Sequence, residues 1–431
     1  MINMTATLQS IGTGVLRSIL IAWSEVWWIV LPLIVLFIFW DFWVFYLHVR
    51  FVKAISWKLL EIKVPKNVLK TPKAMEQIFA AAHAPYTYGI VPFDKYWKGK
   101  EEWFMSFELI GHAGESHFYL RLPKDFQHMM ESAIYAQYPE AEITEVDDYL
   151  DHFPEVLPNE ELDVSGFEEM LKNANYLPIR TYLAFEDPTE ERRLDTIAPI
   201  MEVMSKLKDD EQVWYQLVIR PTGEDFKKEG EGKINQLLGI ESKEKKGGLF
   251  AGFGPGVTLG EVVRAPFEHP GESKKKEEKQ NFMRFIITPG EKDVTEAIEE
   301  KISKIAFETT PRFLFLTKQG NSDPGVVSAL HGFVRQFNTQ NLNSLRPNSV
   351  KTTASYAVRG MFKKTRIRWR KRMIYEDYRN ISPSDKKSVL NIEELATIYH
   401  FPIAAVSTTE LEKIPSRRGS PPAGVPTIEE E

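Results

Sequence analysis

Arg366, Arg368, Arg370 and Arg372 recur at every second position of FKKTRIRWRKRM, residues 362–373, with Lys363 and Lys364 just ahead of them. Guanidinium groups are planar forks whose N–H donors match phosphate and carboxylate oxygens in pairs. An alternation of period two reads as a strand with the arginines on one face and Ile367, Trp369 and Met373 on the other. Such a face would contact nucleic acid or the anionic leaflet of a membrane. The plainer alternative is a solvated sheet face paired with Glu376 and Asp377.

A second segment, LNIEELATIYHFP at residues 390–402, reads as a short helix with a hard stop. Asn391 suits the N-cap, Glu393 and Glu394 place negative charge in the first turn, and Pro402 closes the helix. Leu395 and Ile398 give it an apolar face, and with Glu393, Glu394, His400 and Phe401 they make a candidate surface for docking a partner. A terminal helix that packs on its own domain would carry the same pattern.

Other chemistry lacks its residues. The glycines of GGLFAGFGPG at residues 247–256 are not followed by a lysine and hydroxyl in P-loop order, and Pro255 removes a backbone donor that a phosphate nest would use. His112 and His117 flank a hairpin with no third ligand in evidence, and neither HExxH nor a G-x-S-x-G elbow occurs. With no cysteine, thiolate metal sites, disulfides and cysteine nucleophiles are excluded together. No catalytic, cofactor-binding or metal-binding residue stands out, so the expectation is a non-enzyme without a cofactor.

These segments need a scaffold, and 431 residues with 43% hydrophobic and 26% charged content suffice for two or three domains. A net charge of -6 confines any nucleic-acid contact to a local patch. Residues 26–47 are nearly all apolar, enough helix at ~1.5 Å per residue to span a bilayer core of about 30 Å. Trp27 and Trp28 at one end, and Trp40, Trp43 and Tyr46 at the other, fit the aromatic belts of a single-pass anchor. Asp41 falls near the inner end, within reach of headgroups. Arg17 alone precedes the span, whereas Arg50, Lys53, Lys58, Lys63 and Lys66 follow it, which orients the bulk of the chain to the cytoplasm of an inner-membrane protein. The stretch 15–23 reads as a short interfacial helix.

After the anchor, residues 57–64 read as a strand, 71–79 as a helix, and 103–123 as a hairpin turning at His112-Ala113-Gly114. A helix at 124–137, strands at 141–146 and 179–185, a helix at 194–207 and a strand at 213–219 follow, with a loop at 147–177. From His117 the order is βαββαβ, a ferredoxin-like sandwich. A second set is expected from a strand at 282–289, a helix at 294–305, a strand at 312–317 and a helix at 324–337. The fold class is therefore α+β: a transmembrane helix, then two ferredoxin-like α/β sandwich domains. The boundaries fall at 1–50 (terminal segment and anchor), 51–100 (connecting strand and helix), 101–220 (first domain), 221–280 (flexible charged and Gly-rich insert), 281–389 (second domain), 390–402 (docking helix) and 403–431 (Pro-rich tail).

The series WKLLEIKVP, TPKAMEQIF, HFYLRLP, ESAIYAQYPEAEITEVDDY, EQVWYQLVIRP, LNIEELATIYHFP and IPSRRGSPP resembles, in this order, the membrane-linked N-terminal region of bacterial type IV secretion and conjugative DNA-transfer ATPases. The likeness extends from Trp57 to about Pro426. In that family the chain continues from this helix and linker into a P-loop ATPase domain, whose nucleotide-binding residues have no counterpart here. The resemblance therefore implies membrane anchoring, an α+β body, and assembly contacts with an ATPase supplied by another chain. By analogy with ring-forming ATPases it also implies a homo-oligomer.

Overall fold

The uncharged run after Val26 lies in helix α1, Ile2–Lys53, which continues through Pro32. The computed structural model describes residues 2–65, 70–87, 89–185, 194–239, 288–358, 360–403 and 410–411. Within α1, Trp27–Lys53 has a mean hydropathy of 2.3 and is long and apolar enough to cross a membrane. Large apolar side chains along it, Phe37 and Phe42 among them, are exposed. Residues 15–23, expected as a separate interfacial helix, are part of this same helix.

The chain forms two compact units, Met1–Ser56 with Thr87–Glu102, and Trp57–Tyr86 with Trp103–Glu431. After α1 it contributes strand β1, Trp57–Lys63, and helix α2, Lys73–Ala82, to the second unit. It then returns to the first with a segment carrying the short helix α3, Pro92–Trp97. The rest of the second unit runs β2 (Met105–His112), β3 (Glu115–Pro123), α4 (Gln127–Gln137), β4 (Glu142–Val146), β5 (Leu162–Leu171), α5 (Ala198–Ser205) and β6 (Gln212–Pro221). Helices α6 (Asp225–Leu237) and α7 (Pro289–Ile302) precede β7 (Ala306–Lys318), α8 (Pro324–Arg335) and β8 (Leu345–Thr352). Helix α9 (Lys363–Arg379), β9 (Ser388–Asn391), α10 (Ile392–Ile398) and β10 (Glu410–Leu411) follow among the described residues.

Among the described residues the strands share one ten-stranded sheet with the path β4-β1-β3-β2-β6-β7-β5-β8; β9 pairs β7, and β10 pairs β3. Every pairing along that path is antiparallel. The path has an internal symmetry. Leaving aside α3, inserted between α2 and β2, and α6 and α7, inserted between β6 and β7, β1α2β2β3α4β4 and β5α5β6β7α8β8 both follow βαββαβ, and the strand order of the second is that of the first reversed. The halves meet along β2 and β6, from Met105↔Ile219 to His112↔Gln212. The strands expected in separate domains at 101–220 and 281–389 thus share one antiparallel sheet in one unit, and β3 and β4 pair apart from β5 and β6 rather than in one four-stranded set.

Both faces of the central strands are buried, which accounts for the burial of nearly every residue in β2 and β6. Met105, Phe107, Leu109, Phe118, Leu120 and Leu122 fall on one face, as the alternation predicts, with Tyr215 and Phe313 beside them. Helices α2, α4, α5, α8 and α10 contribute to that core. The other face carries Ile110, Trp214, Leu314 and Leu316 under Ile374, Tyr375 and Tyr378 of α9.

Several expected boundaries move. Residues 179–185 are not a strand: Tyr182–Ala184 forms a 3-10 turn, and the N–H of Ile179 donates to Glu394 Oε1 at 2.8 Å. The strand is instead β5, inside the stretch read as a loop. Residues 282–287 lie outside the described residues. Thr288 caps α7 in a reciprocal capping box with Glu291, so that helix starts at Pro289 rather than 294. Strands β8 and β9 were not anticipated. The part of the expected insert at 225–237 is helix α6, whose Gly230 packs so closely on Ile302 that an added Cβ would lie 2.7 Å from it. The remainder of the insert from 240, and the Pro-rich tail apart from Ile403 and Glu410–Leu411, lie outside the described residues.

Candidate functional site

The basic segment is a helix, not a strand. Ile367, Ile374, Tyr375 and Tyr378 recur at i, i+7, i+8 and i+11, a helical stripe. The last three are buried against the sheet. On the helix the arginines do not share a face. Arg370 is buried and donates to Thr352 O at 3.2 Å, and Lys371 pairs with Asp163 at 2.7 Å. Lys363, Lys364, Arg366, Arg368 and Arg372 are exposed. Of these, Lys363, Lys364, Arg368 and Arg372 form no ion pair among the described residues. Met361, Phe362 and Trp369, 79%, 74% and 58% exposed, lie among them.

The start of α9 breaks the usual rules for helix ends. Phe362 at the N-cap has a left-handed backbone, φ 59°, and gives no side-chain cap, and no acidic residue occupies the first turn. Cations there oppose the positive end of the helix dipole. Such a local conflict marks a place where sequence serves something other than stability.

Beneath α9 the sheet carries a row of charged and polar side chains in register: Glu108 faces Gln216, Gln216 faces Arg312, and Arg312 faces Glu168. All four are fully buried. Glu108 accepts from Ser106 Oγ at 2.9 Å, Arg121 Nε at 3.2 Å, Tyr149 Oη at 2.8 Å and Gln216 Nε2 at 3.2 Å. Arg121 also donates to Asp148 at 3.0 Å. Arg312 donates to Gln216 Oε1 at 2.7 Å, Glu168 Oε2 at 3.1 Å, Asp377 O at 3.1 Å and Ser382 O at 2.8 Å. Lys351 pairs with Asp377 at 2.9 Å. Burial alone would favour a neutral Arg121, but Glu108 and Asp148 raise its pKa well above the usual value. For Asp148, burial opposes ionisation, yet Arg121 holds the carboxyl below its ordinary range. The charges of the row are answered by neighbours, so the row joins sheet to helix.

Residues 50–413 match the model of a domain of unknown function, DUF8128. The chain belongs to the DUF8128 family. No curated protein matches it.

The DUF8128 domain takes in the other candidate site, and there the structure corrects the expectation of a free docking surface. Glu393, Glu394, Leu395, Ile398, His400 and Phe401 are each no more than 3% exposed. Asn391 and Glu394 form the reciprocal capping box of α10. Glu394 also pairs with Lys301 at 3.0 Å, and Glu393 pairs with Lys304. Leu395, Ile398 and Phe401 lie in the main core, as does Tyr399, whose ring neighbours Phe107, Phe118 and Tyr215 at 5.5, 6.1 and 6.0 Å. The helix docks on its own domain, at the seam where β2 meets β6.

His117 Nδ1 lies 2.9 Å from Glu61 Oε1, and His112 is exposed; among the described residues no cluster of three His, Cys, Asp or Glu side chains could hold a metal. His400 Nε2 lies 2.9 Å from Asp195 Oδ1, and the N–H groups of Ile197 and Ile403 donate to the same carboxylate at 2.9 and 2.8 Å. Burial pushes the Asp195 carboxyl up, but His400 and these donors outweigh it and set its pKa below the usual value. Its contribution to stability is present above the unfolded pKa of about 3.9 and is lost as pH falls through the lower folded value. Asp195→Asn should lower the melting temperature at pH 7 and flatten its decline below about pH 4; thermal melts from pH 7 to 2 measure both.

Proposed function

We propose that the chain is a non-enzymatic, membrane-anchored scaffold subunit of a type IV secretion-like or conjugative transfer apparatus. Helix α1 holds it in the inner membrane, its bulk lies on the cytoplasmic side, and it works beside a P-loop ATPase on another chain. The two βαββαβ halves are then ferredoxin-like units fused edge to edge into one platform. The observation that carries the scaffold reading is the exposed start of α9. Cations and aromatic side chains are presented there at a cost to helix stability, while the charges beneath are paired internally. Arginine and tryptophan are the residue types that dominate binding surfaces.

A second reading gives the same surface a nucleic acid. Trp369 between Arg368 and Arg372 offers a ring for base stacking beside cations for phosphates. The two readings part on one experiment. Full-length protein and an Arg368→Glu/Arg372→Glu variant are captured from membranes and their companions identified. The scaffold reading predicts apparatus chains, an ATPase among them, with the wild type and their loss from the folded variant. DNA binding that weakens steeply with salt and with charge reversal, with no protein companion, would replace it by the second reading.

A further inference from the structure

The segment Thr87–Glu102 belongs to the same compact unit as α1. Trp40 of α1 lies 6.0 Å from the ring of Tyr96 and 6.4 Å from that of Trp97. Gly99, at φ 68°, meets the helix backbone so closely that an added Cβ would lie 2.4 Å from Leu47 C. Glu101 pairs with His48 at 3.0 Å. Yet the segment turns large apolar side chains outward: Val91 ahead of α3, and Phe93 and Trp97 within it, are 63%, 61% and 56% exposed. A six-residue helix with no buried residue gains nothing from this arrangement in water.

The charges of the segment are arranged to suit a lipid boundary. Asp94 is held by Lys98 at 2.8 Å and Lys100 at 3.2 Å, and Glu102 accepts from the N–H of Thr87 at 3.2 Å. Its carboxylates are thus turned to partners within the unit. Lys95 and Lys98 set their ammonium groups over the rings of Tyr96 and Phe93, so cations lie alongside the exposed apolar rings. Apolar rings with lysines alongside are the composition of the bilayer interface. The segment is continuous with the exposed aromatic side chains of α1 at Trp40 and Tyr46.

We propose that Val91, Phe93, Tyr96 and Trp97 insert into the interfacial zone of the bilayer that α1 crosses, forming a collar that fixes the depth of the span with residues 40–47 at the lipid–water boundary. The occupant of this surface is lipid, at the junction of headgroup and acyl chain. The proposal rests on α1 being a membrane span, and its test separates the two claims.

The absence of native cysteine lets single labels be placed directly. Phe93→Cys, Trp97→Cys, Leu36→Cys within the span and Glu140→Cys on the second unit are each labelled with an environment-sensitive fluorophore in the full chain. The labelled proteins are reconstituted into phosphatidylcholine vesicles carrying nitroxide at the top or the middle of the acyl chain. Labels at 93 and 97 should be quenched by the shallow nitroxide roughly twofold or more over the label at 140, and the label at 36 most strongly by the deep one. Quenching at 36 but not at 93 or 97 overturns the collar and leaves the span standing. Absence of quenching at all positions overturns both.

Discussion

Truncation after Ser388 should leave the second unit unfolded. The cut removes Leu390, Leu395, Tyr399 and Phe401 from the main core, with Glu394, the partner of buried Lys301. Lys301 would keep only the carbonyl of Leu177, at 3.1 Å, having lost Val389 O with Glu394. Loss of one partner from a buried pair costs about 3–5 kcal/mol. Tyr399→Ala alone should cost about 3–5 kcal/mol, by analogy with other large aromatic truncations in cores. Together these approach or exceed the ~5–15 kcal/mol by which a domain is stable. Far-UV circular dichroism and thermal melts of the truncated chain in detergent should show no cooperative transition, whereas a free docking helix could be removed with the melt unchanged.

The second large effect is expected at Arg312. Arg312→Met leaves Glu168 with Asn348 and Ser384 as hydrogen-bond donors, at 3.2 and 2.6 Å, and Lys351 at 3.9 Å. It also removes the donor to Gln216 and the links to the backbone of Asp377 and Ser382. A loss of about 3–5 kcal/mol should follow. Adding Glu168→Gln should recover part of it, with a coupling of roughly 0.5–3 kcal/mol in a double-mutant cycle from denaturant melts. Additive losses would mean that the row is not an electrostatic unit.

What could be read from sequence followed the strength of each local pattern. The hairpin at β2 and β3 alternates cleanly and turns at Ala113 and Gly114, both at positive φ, so strands and turn are where the pattern sets them. The helix at 390–402 carries its own cap and stop, but nothing local says whether its apolar face meets a partner or its own sheet. The start of α9 reads as a strand because four arginines alternate within a window ending at Met373, before Ile374, Tyr375 and Tyr378 disclose the helical period. Strand β5 was hidden because LDVSGFEEML carries Gly166 and two glutamates. Gly166 is required there, since an added Cβ would lie 2.5 Å from Phe313 O, and Glu168 is required by Arg312. Only the partner strand supplies those reasons. Fusion of the two halves depends on β2 and β6, whose paired residues stand 100 to 114 positions apart in the chain, and no short pattern encodes it.

The scaffold account rests on α9 meeting another protein, and crosslinking at Trp369 tests it most directly. A photoreactive amino acid replaces Trp369, with Glu140 as the exposed control position, and cells are irradiated intact. The account predicts a discrete crosslinked protein, absent at position 140 and lost when Arg368 and Arg372 are reversed to Glu. Adducts with nucleic acid alone, or the same adducts from both positions, would contradict it.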